Sequence, residues 1–114
     1  MGAALAAADL ALSRAGASVL GEYPLFGLPA ILVPYPHAWR YQRLNAAYLE
    51  RQGAALVLDE DRLMTDLVSV VTSLLRSPER LETMRTSVAA LARPDAAATI
   101  ARLLVALAGK EGRP

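Results

Sequence analysis

Two short apolar runs, Ala30–Pro34 (AILVP) and Ala54–Leu58 (AALVL), constrain this chain more than anything else in it. Both are continuous rather than alternating. A strand with one face in water alternates apolar and polar side chains, whereas a strand buried on both faces does not. These runs therefore predict inner strands of a parallel sheet covered by helices. The segment between them has the length of one crossover helix, Arg40–Arg51, closed by Gln52-Gly53 as a C-terminal cap. A third run, Asp9–Ser13 (DLALS), precedes another helical stretch, Ser18–Phe26. The order strand, helix, strand, helix, strand predicts an α/β layer with right-handed connections.

Beyond Leu58 the pattern becomes helical. A helix is expected over Leu63–Leu75, with Leu67, Val70, Val71, Leu74 and Leu75 as its core stripe. Ser77-Pro78 opens the next, with Ser77 as cap, Pro78 in the first turn and Leu81, Met84, Val88 and Leu91 facing inward. Arg93-Pro94-Asp95 breaks it, a further helix runs from Asp95 to Leu107, and residues 108–114 are expected to form a flexible tail. Three strands make a narrow sheet, and the first lies close to Met1. The expectation is one domain at most, 1–107, forming part of a larger enzyme, with a compact small α/β protein as the alternative.

Composition narrows the function classes. The 114 residues are 54% hydrophobic and carry a formal net charge of +1, unlike a disordered chain or a strongly basic nucleic-acid binder. No cysteine is present, which excludes a disulfide scaffold, a thiolate zinc site and a cysteine nucleophile. The opening MGAALAAAD lacks a basic n-region and makes a poor signal peptide. No apolar run approaches the length of a membrane span.

The chemistry concentrates around the first two loops. Gly16 can supply a turn or let a ligand approach the backbone. Ser18 is a candidate N-cap, and the N–H groups of the following turn can hold a phosphate oxygen. An ordinary capped helix start fits the same residues, for the segment is neither a G-x-G-x-x-G fingerprint nor a P-loop. Glu22 can accept hydrogen bonds from ribose hydroxyls, or be an ordinary exposed helix residue. Pro24 should kink or shorten its helix. His37, the only histidine, sits beyond the second strand, where ligands of open α/β sheets collect. It can shape a pocket or simply pack against a carbonyl. Trp39 and Tyr41 can stack on a sugar or pack internally. Gln42 can bind sugar hydroxyls, while Asn45 on an adjacent face can tie the loop down. Arg40 and Arg43 are either solvated or phosphate contacts. Asp59, Glu60 and Asp61 read as a solvated acidic turn.

Taken together, R-A-G-A-S-x-x-x-E, G-L-P-A-I-L-V-P-Y-P-H and Q-x-x-N-A, in this order and followed by R-Q-G-A-A-L-V-L, resemble the C-terminal donor-binding domain of glycosyltransferase family 28. The resemblance covers about Ala8 to Leu107. It implies a partial Rossmann-like parallel sheet with flanking helices, the C-terminal portion of a GT-B glycosyltransferase. It also implies an inverting transfer of N-acetylglucosamine from UDP-N-acetylglucosamine to the acceptor lipid I, giving lipid II in peptidoglycan synthesis. By position, Arg14 and Gly16 match the motif start, and Ala17, Ser18 and Val19 the backbone around the donor diphosphate and sugar. Glu22 matches the carboxylate that holds the uridine ribose. Gln42 matches the glutamine on the sugar hydroxyls, with Tyr41 beside it and Asn45 one turn on. Val19 stands where threonine is usual, and Pro24 and the bulky loop Ala38–Tyr41 also depart from the pattern. No catalytic residue is assigned, and the resemblance implies no cofactor and no metal. The acceptor site would belong to an N-terminal domain outside these residues, and the parent would lie peripherally at the cytoplasmic face of a bacterial membrane. Another GT-B enzyme with a different donor, and a non-catalytic α/β interaction module, are the competing readings.

Overall fold

The computed structural model describes residues 2–37 and 40–111. A short helix α1 (Gly2–Ala7) precedes β1 (Ala11–Ser13), α2 (Val19–Phe26), β2 (Ala30–Leu32), α3 (Tyr41–Arg51) and β3 (Ala55–Val57). A single 3-10 turn (Glu60–Arg62) then leads into α4 (Leu63–Leu75), α5 (Pro78–Ala89) and α6 (Ala96–Glu111). The alternating order is the expected one. The strands are shorter than the apolar runs, because their ends leave the ladder as loops. Helix α1 was not anticipated: its alanine-rich sequence favours helix intrinsically, and Leu5 packs against the core.

All three strands are parallel, in the order β1-β2-β3. Ala30 pairs with Ala11 on one side and Ala55 on the other, and the register continues to Leu32 beside Ser13 and Val57. Single bonds extend the ladder: Val33 N–H donates to the Ser13 carbonyl at 2.8 Å and Leu58 N–H to the Leu32 carbonyl at 2.9 Å. On the outer side of β3, Val57 N–H donates to the Glu50 carboxylate of α3 at 3.0 Å.

The two-residue period of β2 divides the core. Ala30 and Leu32 point to one face, where Val19, Tyr23, Leu28, Ala46, Leu49 and Val88 pack. Ile31 and Val33 point to the other, with Leu58, Leu74, Leu81 and Met84. β2 is thus buried on both sides, as its unbroken apolar sequence requires. Helix α5 serves both faces, giving Leu81 and Met84 to one cluster and Val88 to the other. Within α4, Leu74 is fully buried but Leu75 is 56% exposed. That corrects the expected stripe: consecutive helical residues diverge by about 100° around the axis, and with Leu67, Val70, Val71 and Leu74 toward the core Leu75 falls on the outward side.

Both crossover helices end in the same device. Gly27 and Gly53 adopt φ 59° and 75°, a left-handed conformation that side chains with a Cβ resist. Leu28 N–H then reaches back to the Tyr23 carbonyl, and Ala54 N–H to the Leu49 carbonyl, each at 2.9 Å. These bonds have the 6→1 pattern of a Schellman cap and turn the chain straight into the next strand. Pro24 lies inside α2, which stays helical through to Phe26. The helix runs past the proline and ends at the Gly27 cap, so Pro24 neither breaks nor terminates it.

Candidate functional site

The loops leaving the carboxyl ends of β1, β2 and β3 form one rim, where chain direction places the ligands of open α/β sheets. Four side chains from distant segments tie these loops together. The Gln42 Oε1, in the first turn of α3, accepts from Ala15 N–H at 3.2 Å and Tyr35 N–H at 2.9 Å. One amide oxygen thereby joins the exits of β1 and β2. One turn on, Asn45 Nδ2 donates to the Ala15 carbonyl at 2.9 Å. Asn45 ties the loop as expected. Gln42 and Asn45, expected on adjacent faces, both converge on Ala15, which is fully buried.

Arg14 makes the third link. Both terminal nitrogens of its guanidinium donate to the Glu60 carboxylate, with Nη2 to Oε1 at 3.1 Å. Nη1 also donates to the Val33 carbonyl at 3.4 Å, and the group lies 5.3 Å from the centre of the Tyr35 ring. The hydrogen bond from Arg14 holds the Glu60 carboxyl below its ordinary pKa, and the same bond raises that of Arg14. The fourth link joins Arg43 to Asp59 at 3.2 Å. The segment Asp59–Asp61 is exposed, yet it is not merely solvated: two of its three carboxylates are paired with arginines. Arg43, too, is paired. These partners were not legible in the sequence, because Arg14 and Glu60 lie 46 positions apart and only the parallel topology brings their strand ends together.

The segment Gly16–Ser18 leads into α2. Val19 and Leu20 N–H turn back onto the Gly16 and Ala17 carbonyls at 3.2 and 3.1 Å. The donors left for an anion therefore belong to Ala17 and Ser18, both exposed, rather than to the turn after them. Ser18 occupies the N-cap position with helical backbone angles and makes no side-chain capping bond. Gly16 has no positive φ, and a Cβ built on it meets nothing within 4 Å. The turn itself does not demand glycine. Glu22 lies exposed in the first turn of α2. Tyr41 is 73% exposed at the start of α3, which removes the internal-packing alternative for it. His37 sits edge-on to Tyr35 with ring centres 5.4 Å apart. Ala38 and Trp39 lie outside the described residues, and so do residues 112–114; residues 108–111 of the expected tail are instead the end of helix α6.

A cleft of about 350 Å³ opens beside the rim, lined by Pro34, Pro36, Arg43, Asp59, Glu60 and Asp61. Among the described residues, no group of three histidine or acidic side chains is placed to hold a metal ion. No helix among them is long and apolar enough to cross a membrane.

The model of the glycosyltransferase family 28 C-terminal domain matches residues 1–100. The chain belongs to this family. Among curated family 28 relatives, the chain is 49% identical over 104 residues to one from Moorella thermoacetica, covering 90% of this chain and 28% of that protein. It is 48% identical over 111 residues to one from Salinibacter ruber, covering 96% of this chain and 30% of that protein. Both are described as UDP-N-acetylglucosamine--N-acetylmuramyl-(pentapeptide) pyrophosphoryl-undecaprenol N-acetylglucosamine transferases. The crystal structure of Acinetobacter baumannii MurG superposes with a TM-score of 0.74 at 29% identity, over 84% of this chain and 29% of that one. The family 28 fold expected from the sequence is thereby established, and the chain spans about three tenths of the length of the relatives it matches.

Proposed function

We propose that this chain is the UDP-N-acetylglucosamine-binding segment of a family 28 N-acetylglucosaminyltransferase that converts lipid I to lipid II. The observation that carries the reading is the convergence of Gln42 and Asn45 on Ala15. It sets the glycine-led loop, the start of α2 and the start of α3 around one rim, in a chain of this family. Residues 1–107 would be the donor-binding part of a longer protein, and the lipid acceptor, the catalytic base and any peripheral contact with the membrane are assigned to the rest of that protein.

Within this reading the roles follow from the groups left available. The Ala17 and Ser18 N–H groups, at the positive end of α2, receive the donor diphosphate. The open space over Gly16 lets the phosphate approach the backbone. Glu22 accepts from the ribose hydroxyls. Gln42 has its carbonyl oxygen occupied by two backbone donors, so its Nε2 is the atom that meets a sugar hydroxyl. Tyr41 lies beside it with its ring free to pack on the sugar. Val19 lacks the hydroxyl usual at that position and its N–H is spent on the Gly16 carbonyl, so it holds the turn rather than the donor. The acceptor hydroxyl gives its proton to the base in the rest of the protein and attacks the anomeric carbon, the bond to the diphosphate breaks, and UDP leaves with inversion. The groups of this chain hold the donor and stabilise the departing charge; such positioning is steeply sensitive to geometry.

Isothermal titration of the 114-residue chain with UDP-N-acetylglucosamine tests the reading. Glu22→Ala should weaken binding about tenfold, the scale of losing hydrogen bonds to a charged acceptor. Unchanged affinity would remove Glu22 from the site. Preference for UDP-glucose or a dTDP-sugar over the N-acetylglucosamine donor would overturn the substrate assignment.

A further inference from the structure

The acidic turn after β3 has a task that its sequence does not announce. Arg14 precedes the glycine-led loop and has the charge to meet a diphosphate directly. Its guanidinium is already engaged on four sides, by both oxygens of Glu60, by the Val33 carbonyl and by the face of Tyr35. An incoming phosphate would have to displace a bidentate carboxylate, and charge-assisted pairs of this kind are the stronger hydrogen bonds. The next residue, Ala15, is gripped from the opposite side by Gln42 and Asn45. The backbone entering Gly16–Ser18 is thus held from two directions, by a charged link to β3 and by two amides of α3.

We infer that Glu60 is a positioning residue for the diphosphate loop, holding Arg14 so that the Ala15–Ser18 backbone keeps one conformation while Arg14 itself stays off the ligand. The pair is half-exposed. Such a pair adds little to global stability, and its effect is on the loop. The inference rests on the donor-binding reading above, because it is the donor that makes the loop's conformation matter.

Three variants of the 114-residue chain test it: Glu60→Gln, Arg14→Glu and the reversed pair carrying Arg14→Glu with Glu60→Arg. Two readouts separate the possibilities. Amide hydrogen exchange at Ala15, Val19 and Leu20, whose N–H groups are the bonded ones of the loop, is measured without ligand, and UDP-N-acetylglucosamine affinity by calorimetry. Glu60→Gln should speed exchange in the loop about fivefold and weaken binding about three- to tenfold, in the range of coupling between contacting residues. The reversed pair should recover most of both losses, since the link is restored with its charges exchanged. If Glu60→Gln instead tightens binding, Arg14 has been released onto the diphosphate and the inference is overturned. The same holds if the reversed pair melts like the parent chain yet recovers neither readout, for then Arg14 itself is the ligand. A parent chain blind to UDP-N-acetylglucosamine would sink the donor reading alone. Loop exchange would still decide the role of Glu60, and an unchanged rate in Glu60→Gln would end it.

Discussion

The sheet rim and helix α6 carry their side chains in opposite ways. At the rim, Arg14, Gln42, Arg43, Asn45, Asp59 and Glu60 come from three separate segments and are all engaged with one another or with the backbone. Along α6, exposed residues run from Ala96 to Gly109 and include Ile100, Leu103, Leu104 and Leu107. Apolar content alone would rank α6 as core and the rim as surface. In this molecule the polar side chains link remote segments, and apolar side chains are buried only where another element arrives to cover them.

The largest expected effect sharpens that contrast. Leu32→Ala, at a fully buried site on the central strand, should cost about 2–5 kcal/mol in urea unfolding of the chain. Leu103→Ala in α6 should stay within about 0.5 kcal/mol, as for surface sites. Comparable losses at the two positions would erase the distinction. Next comes Gln42→Leu, which leaves the Ala15 N–H without its acceptor and should destabilise by about 1–3 kcal/mol. Gln42→Glu keeps an acceptor for both backbone donors and removes only the Nε2 donor. Its unfolding midpoint should stay near that of the parent, while donor affinity measured by calorimetry falls about threefold to tenfold. If both variants unfold alike, the strap is not what holds the rim. A smaller effect on folding is expected for Gly16→Ala, whose new methyl group enters open space. Stability should change by less than about 0.5 kcal/mol, and loss of donor binding would then report ligand approach alone.

The smallest effect depends on pH. Because the hydrogen bond from Arg14 depresses the folded-state pKa of Glu60, the contribution of that carboxylate is fully present above the unfolded glutamate value, about 4.3. It is lost as pH falls through the lower folded value. The melting midpoints of the parent and Glu60→Gln should therefore keep a constant small offset at neutral pH and converge only below about pH 4. Convergence already at pH 6 would mean that another group governs the clamp.

How far the sequence spoke depended on the range of the interaction. β2 and β3 were legible because burial on both faces leaves a continuous apolar run. The cap at Gly53 was legible because its conformation is a local property of glycine. The end of α4 was misread at Leu75, where local periodicity does not say which of two adjacent leucines meets the sheet. Asn45 was recognised as a strap, and the family motifs led to the rim. The convergence of Gln42 with it on Ala15 was hidden, because it requires the loop of β1 to lie against the first turn of α3. Glu60 was hidden more deeply. Its partner lies just past another strand, and a run of acidic residues looks the same whether water or an arginine faces it.

The sequential strand order carries a kinetic consequence. Ala30 joins a partner about 20 residues earlier in Ala11 and another about 25 residues later in Ala55, so each pairing closes a loop of similar size. Closure entropy grows only logarithmically with length, and the two closures differ by about 0.2 kcal/mol. Chain entropy therefore gives neither neighbour precedence, and either half of the sheet can zip onto β2 first. Which of them does is left to the helix in between, and α3 forms its cap without a proline whereas α2 must fold around Pro24.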